Sequence, residues 1–356
     1  MIIILKKMSK KGFTLIELLA VILILGIIAL IAIPMVTKLI NQSKKEAFET
    51  SVKNVVDAIE DNCLQEQMKG EPITATYTFT NGTVSPSINI KGSLPKSGTV
   101  TVDSSCNAKI NLTNGTYTIY NEYENGKVVY FNPETGATCD KTSAVSTLGT
   151  KTGCMKWYIF NDDKFSSTVN MILDHNTTAL IAWNSSGTNV AGPNQVLNQL
   201  KTDTSSWLGV NLRTDKYSVK TQTSDGMAAD YTIDYSTYRA RLINADEIAK
   251  ISGKTSFSVE NDPDWFYLDS NTHDQVATEQ GKSSYAWLFD YTGGCFVNGC
   301  NFENYGTAGY WTSSLSKGSY RYAWRINNAG ILDYDYVDDT SEDGIRPVIT
   351  ISKTAF

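Results

Sequence analysis

Polar positions are spread very unevenly over the first seventy residues. Residues 1–12 carry Lys6, Lys7, Lys10 and Lys11 and no acid. Residues 13–33 follow as an apolar run of 21, interrupted only by Thr14 and Glu17. A helix of that length rises about 30 Å, which matches the hydrocarbon thickness of a bilayer. Pro34 closes the run and is expected to kink or locally melt a helix, because it removes one backbone hydrogen bond. Beyond it Val36, Leu39, Ile40, Ala47, Val52, Val55, Val56 and Ile59 recur mostly at steps of three or four among Lys, Gln and Glu. That period describes an amphipathic helix lying against a sheet, so one long helix is expected over residues 14–68.

The period then changes to two. Residues 74–79, 98–102, 108–112, 116–120 and 127–131 read as short strands, and Asn81-Gly82, Asn114-Gly115 and Asn125-Gly126 are hairpin-turn signals. An antiparallel meander of four or five strands, packed on the preceding helix, is expected. Residues 138–153, rich in Thr, Ser and Gly, read as a connection. Further on, residues 157–160 read as a strand, and residues 194–200 and 244–251 as helices. Asn244 is the expected N-cap of the second helix, with Asp246 and Glu247 in the first turn where the helix dipole favours acids. Trp311 and Trp324 are expected to fill the core. Gly344-Ile345-Arg346-Pro347-Val348 reads as a turn into a final buried strand, with Arg346 paired to an internal acid.

Composition narrows the picture. A chain of 356 residues allows two or three domains. Charged residues are 19% and the net charge is −6, which gives no sign of nucleic-acid binding. After Ile40 the chain is rich in Thr, Ser, Asn, Gly and Tyr, as in exported β-rich domains. In such a setting the six Cys would oxidise. Cys295 and Cys300 flank a turn-like tetrapeptide and are expected to form a local disulfide. Cys63, Cys106, Cys139 and Cys154 allow three pairings. No cysteine pair has the two-residue spacing of a common zinc site, so no metal is expected. Neither His175 nor His273 sits in a catalytic pattern, and no phosphate loop, HExxH or nucleophile elbow occurs. Neither enzymatic activity nor a cofactor is expected.

Lysines before the apolar run and none within it place the amino terminus on the cytoplasmic side. A secretory signal shares the basic start, but here the run is long, lacks a small-residue cleavage site, and carries a carboxylate near its start. A charge within a membrane segment is costly and points to a waiting partner. The stretch Lys10-Lys11-Gly12-Phe13-Thr14-Leu15-Ile16-Glu17 resembles the processing site of type IV prepilins and pseudopilins. The resemblance implies cleavage after Gly12 by a membrane aspartic peptidase, the prepilin peptidase, and N-methylation of Phe13. It makes Glu17 the fifth mature residue, which neutralises the Phe13 amine of a neighbouring subunit in a helical filament. An unmatched charge in that low-dielectric core would be strongly destabilising, so the pair would set the axial register. The implied course is a single-pass precursor in the inner (cytoplasmic) membrane, then an extracellular filament on the cell surface.

Residues 156–356 contain an ordered series of segments at 239–249, 285–288, 309–314, 323–324 and 344–349, with Gly330 between. Together they resemble an extracellular module of the C-type-lectin-like fold, related to sulfatase-modifying-factor and phage-variable domains. The implied fold class is α+β: a long N-terminal transmembrane helix packed on an antiparallel pilin sheet, followed by a C-type-lectin-like α+β domain. The corresponding boundaries are a leader at 1–12, a helix at 13–69 (transmembrane at 13–33), a β head with linker at 70–153, and the lectin-like domain at 154–356. In such folds ligands meet late irregular loops, here residues 314–343. Tyr320, Tyr322, Arg325, Tyr334 and Tyr336 are the candidate ligand-binding residues, for a glycan or a protein, since Tyr gives contact area at low entropic cost. Asp333, Asp335, Asp338, Asp339, Glu342 and Asp343 match no calcium loop and read as a solvated acidic loop. The expected function is a pilin-like subunit displaying this head for adhesion. The alternative is a pseudopilin of a type II secretion or DNA-uptake apparatus. Loss of the four leader lysines would take the net charge from −6 to −10, which disfavours direct DNA binding.

Overall fold

The computed structural model describes residues 14–219, 225–227, 230–261, 264–267, 285–288, 309–327, 330–341 and 343–356. The chain divides into two units, Met1–Ile119 and Tyr120–Phe356.

In the first unit, α1 (Leu15–Lys69) is a single helix of 55 residues, about 80 Å long. It passes through Pro34 without the expected local melting. The ring removes one backbone hydrogen bond, but its fixed φ is helical and the helix continues on both sides. Gly70, in the left-handed conformation at φ 69°, ends the helix and donates its N–H to Gln67. Phe48, Val52, Val55, Ile59 and Cys63 are the buried face, at helical spacing. Val36, Leu39, Ile40 and Ala47, expected on that face, are exposed. Periodicity marks an apolar face; it does not say where the covering sheet begins.

That sheet contains β1 (Thr76–Thr80), β2 (Thr83–Ser85), β3 (Ser97–Val102), β4 (Ala108–Thr113) and β5 (Thr118–Tyr120), in the order β2-β1-β3-β4-β5. Asn81 and Gly82 both have positive φ, at 49° and 77°, and join β1 to β2 in the two-residue turn that their sequence signals. Helix α1 packs on β3 and β4, with Tyr77, Phe79, Val100 and Leu112 buried. A Cys63–Cys106 disulfide ties the helix to the loop between them.

The second unit begins earlier than expected. The strand at residues 127–131 does not extend the first sheet: β6 (Val128–Asn132) pairs with β8 (Met155–Phe160). Alternation identifies a strand but not its partner. The Gly126 N–H already donates to the Ile159 carbonyl, so the Asn125-Gly126 turn leads into this second sheet. With β7 (Ala137–Thr138), β9 (Thr168–Leu173) and β17 (Val348–Ser352) the order is β17-β9-β8-β6-β7. A Cys139–Cys154 disulfide closes its β7–β8 end.

Between β9 and β17 lie α2 (Asn194–Asp203), a hairpin of β10 (Lys216–Val219) with β11 (Tyr231–Asp234), α3 (Ala245–Ile251), and a further sheet. This sheet contains β12 (Phe266–Tyr267), β13 (Gly309–Leu315), β14 (Tyr322–Ile326), β15 (Ile331–Tyr336) and β16 (Asp343–Gly344). Its order is β12-β15-β14-β13-β16, antiparallel except for the parallel β13–β16 pair. Asn244 caps α3 as expected, and the Glu247 side chain completes a reciprocal box by accepting from the Asn244 N–H.

Neighbouring residues on several strands enter different cores. Met171, Trp311, Ala323 and Ile349 join one apolar cluster, with Trp157, Trp183 and Trp207. Ile172, Tyr310, Trp324 and Val348 join another, with Ile248 and Ala249 of α3. Both faces of these strands are therefore buried. Arg346 is fully buried, but among the described residues its partners are the Leu173 and Trp287 carbonyls and the Tyr310 ring, not the expected acid.

Candidate functional site

The chemistry at the start of α1 is compact. Glu17 Oε2 accepts hydrogen bonds from the Thr14 backbone N–H and hydroxyl, each at 2.8 Å. The Glu17 N–H donates to Thr14 Oγ1 at 3.3 Å. This reciprocal box satisfies two of the amides that a helix start leaves open. Its signal, Thr14-x-x-Glu17, was present in the sequence, but only Glu17 was singled out there. One carboxylate oxygen therefore serves the subunit's own helix, while Oε1 has no hydrogen-bond partner among the described residues. Gly12 and Phe13, the expected cleavage and methylation positions, lie outside the described residues. Apolar side chains from Leu15 to Ile40 are exposed almost without exception, and this part of α1 is apolar and long enough to cross a membrane.

The tyrosines singled out near the end of the chain separate into two environments. Tyr322 and Tyr336 face each other across β14 and β15, as do Trp324 and Tyr334. The Tyr322 ring lies 4.8 Å from Tyr336 and 5.4 Å from Tyr334, and the Arg321 guanidinium sits 4.9 Å from the Tyr336 ring. Tyr334 and Tyr336 are 38% and 42% exposed, so the strip is reachable. Tyr320 stands outside this ring cluster; its backbone N–H donates to Asp225 and its carbonyl accepts from the Asn189 N–H.

Arg325 is not a surface ligand residue. It points to the opposite face of β14 and is buried. There it meets Asp333 at 3.0 Å, Asp335 at 2.8 Å and Asp343 at 2.9 Å. These three acids are thus not part of a solvated loop. Burial pushes the Asp343 carboxyl up to about 7 in spite of the guanidinium, and raises Asp333 as well.

The cysteine pairing left open by the sequence is Cys63 with Cys106 and Cys139 with Cys154. Cys295 and Cys300 lie outside the described residues. His175 is fully buried, with Nδ1 2.6 Å from Asp174 and Nε2 3.1 Å from the Thr150 carbonyl.

Residues 7–33 match the prokaryotic N-terminal methylation motif. The motif is type IV pilin-like; it suggests a pilin-like or pseudopilin subunit and implies processing by prepilin peptidase and assembly with other pilins. With the long apolar start of α1, it fits a membrane-anchored precursor. No curated protein and no solved structure matches the chain, so the C-type-lectin-like resemblance of the second unit gains no support.

Proposed function

We propose that the chain is the precursor of a surface-filament subunit whose second unit is a displayed recognition head. The observation that carries this proposal is the placement of Glu17 in the first turn of an exposed apolar helix, four residues after Phe13 and within the matched motif. In a fibre, α1 would exchange lipid for the helices of its neighbours. Glu17 Oε1, open in the lone subunit, would take the Phe13 amine of the next protomer. The head would meet an extracellular glycan or protein, with the Tyr322–Tyr334–Tyr336 strip as one contact surface, because its rings are reachable and held against one another. In this proposal the chain is a substrate of the peptidase and not itself an enzyme.

The test is mass spectrometry of sheared surface filaments. The expected result is this chain within the fibres, with a first peptide beginning at N-methylated Phe13. A mature terminus elsewhere, or normal fibres formed by Glu17→Ala, would overturn the proposal. The second reading is a pseudopilin of a secretion or DNA-uptake apparatus, which the same motif admits. It predicts processed protein in the membrane fraction and none in sheared filaments.

A further inference from the structure

The second unit holds a cavity of about 570 Å³ away from the tyrosine strip. Its walls come from β9 and β17, from the segment preceding β10, and from the chain leading into α3. We propose that it binds one or two sugar units of a neutral glycan. The proposal rests on reading the second unit as a recognition head, and it assigns that head both a site and a ligand class.

Charge is the first consideration. The cations lining the cavity are Arg213, Lys216 and Arg241, and each already has an acid. Arg241 grips Glu247 through two hydrogen bonds of 2.6 Å, Arg213 donates to Asp215 at 2.7 Å, and Lys216 meets Asp234 at 2.8 Å. A ligand is therefore not needed to supply countercharge. An anion would have to displace a carboxylate, and a cation a guanidinium, so a neutral ligand fits the cavity best.

Hydrogen bonding is the second. The pairs fix donor-only guanidiniums and acceptor-only carboxylates beside groups that can do both. A relay shows the order: Arg213 donates to the Thr350 hydroxyl at 2.9 Å, which donates to the Asn170 side-chain oxygen at 2.7 Å. Among the described residues, that leaves the Asn170 amide hydrogens and the second prong of Arg213 for a ligand. Asn211 and Asn244 add further amides to the lining. Vicinal hydroxyls of a sugar each donate once and accept, at a spacing that two-pronged groups match. Neutral apolar metabolites would leave these groups unpaired, at a cost in affinity.

Shape and order complete the case. The volume falls within the roughly 300–1,000 Å³ typical of small-molecule sites. Leu212 and the ring of Tyr217 offer apolar surface for the C–H face of a pyranose. The Tyr217 hydroxyl is anchored 2.7 Å from Ser314, so that ring is held before any ligand arrives. Groups fixed in advance lose little entropy on binding.

The mature full-length protein in detergent is applied to an array of neutral oligosaccharides alongside sialylated and sulfated counterparts. Saturable binding to at least one neutral glycan is expected. Asn211→Trp and, independently, Thr214→Trp, at exposed positions on the rim, should weaken it at least tenfold with an unchanged thermal unfolding midpoint. Leu208→Ala, at an exposed position outside the lining, should leave it intact. Retention of acidic glycans only, of none, or equal binding by both folded tryptophan variants would overturn the assignment. So would loss of binding on substitution of the tyrosine strip, in Tyr334→Ala or Tyr336→Ala, with binding retained in both tryptophan variants. Filament content, measured separately by shearing, reports on assembly, so failure of the glycan site and failure of the filament proposal give different results.

Discussion

Arg325 has three carboxylates within 3.0 Å and one positive charge to offer them. Burial is the main reason that Asp343 is pushed up to about 7 and that Asp333 also rises, and the neighbouring carboxylates add to it. Both groups hold protons in the folded state over a range where the unfolded chain has released them. Folding stability therefore falls as pH rises from about 4 through 7, by at most roughly 4 kcal/mol for Asp343. Urea unfolding followed by tryptophan fluorescence should give a lower midpoint at pH 7.5 than at pH 5. Asp343→Asn, neutral at every pH, should flatten that difference; an unchanged slope would show that Asp343 is not its source. Trp311 tests the core at the same scale. It is fully buried and donates to the Ile181 carbonyl at 2.6 Å. Trp311→Ala is expected to cost about 3–5 kcal/mol, read from the same unfolding curves.

Among the elements, α1 and the Asn81-Gly82 hairpin were legible because each signal is local: an apolar period, a cap, a turn that needs two positive φ values. The partner of β6 was not, since pairing with β8 rather than β5 is decided by contacts far along the chain. The buried placement of Arg325 is legible in the strand pattern. The alternation Asp333-Tyr334-Asp335-Tyr336 sends acids to one face and rings to the other. Through the β14–β15 register, Arg325 belongs with the acids and Tyr322 with the rings. The cavity had no local signal, because Asn170, Arg213, Arg241 and Thr350 meet only after folding. Within the first sheet, Gly98 occupies a position that no other residue can fill easily. Its φ is 129°, and a Cβ there would lie 2.1 Å from the Asn111 carbonyl oxygen. Gly98→Ala should cost at least about 2 kcal/mol by forcing β3 from β4, seen as an earlier loss of the far-ultraviolet dichroism of the first unit.

For the whole molecule, each of the two units has its own core and its own disulfide. All seven tryptophans fall within residues 120–356, so indole fluorescence reports on the second unit alone. Removing the Cys63–Cys106 bridge, which spans 43 residues, should destabilise the first unit by about 4 kcal/mol on the loop-entropy model. The Cys63→Ala/Cys106→Ala double variant is thus expected to lower the melting seen by circular dichroism and to leave the fluorescence transition in place. A joint shift of both signals would show that the units unfold as one.

Strand β17 closes on β9, and the Asn170 and Thr350 side chains that touch there are 180 residues apart. At a synthesis rate of roughly 5–20 residues per second, some 10–40 seconds pass between the emergence of one and of the other. Throughout that interval β9 is an unpaired edge on a nascent polypeptide whose anchor is already made. Until then Val169, Met171, Ile172 and Leu173 lack part of their final cover, and a protease working at the membrane surface would have its best opportunity there.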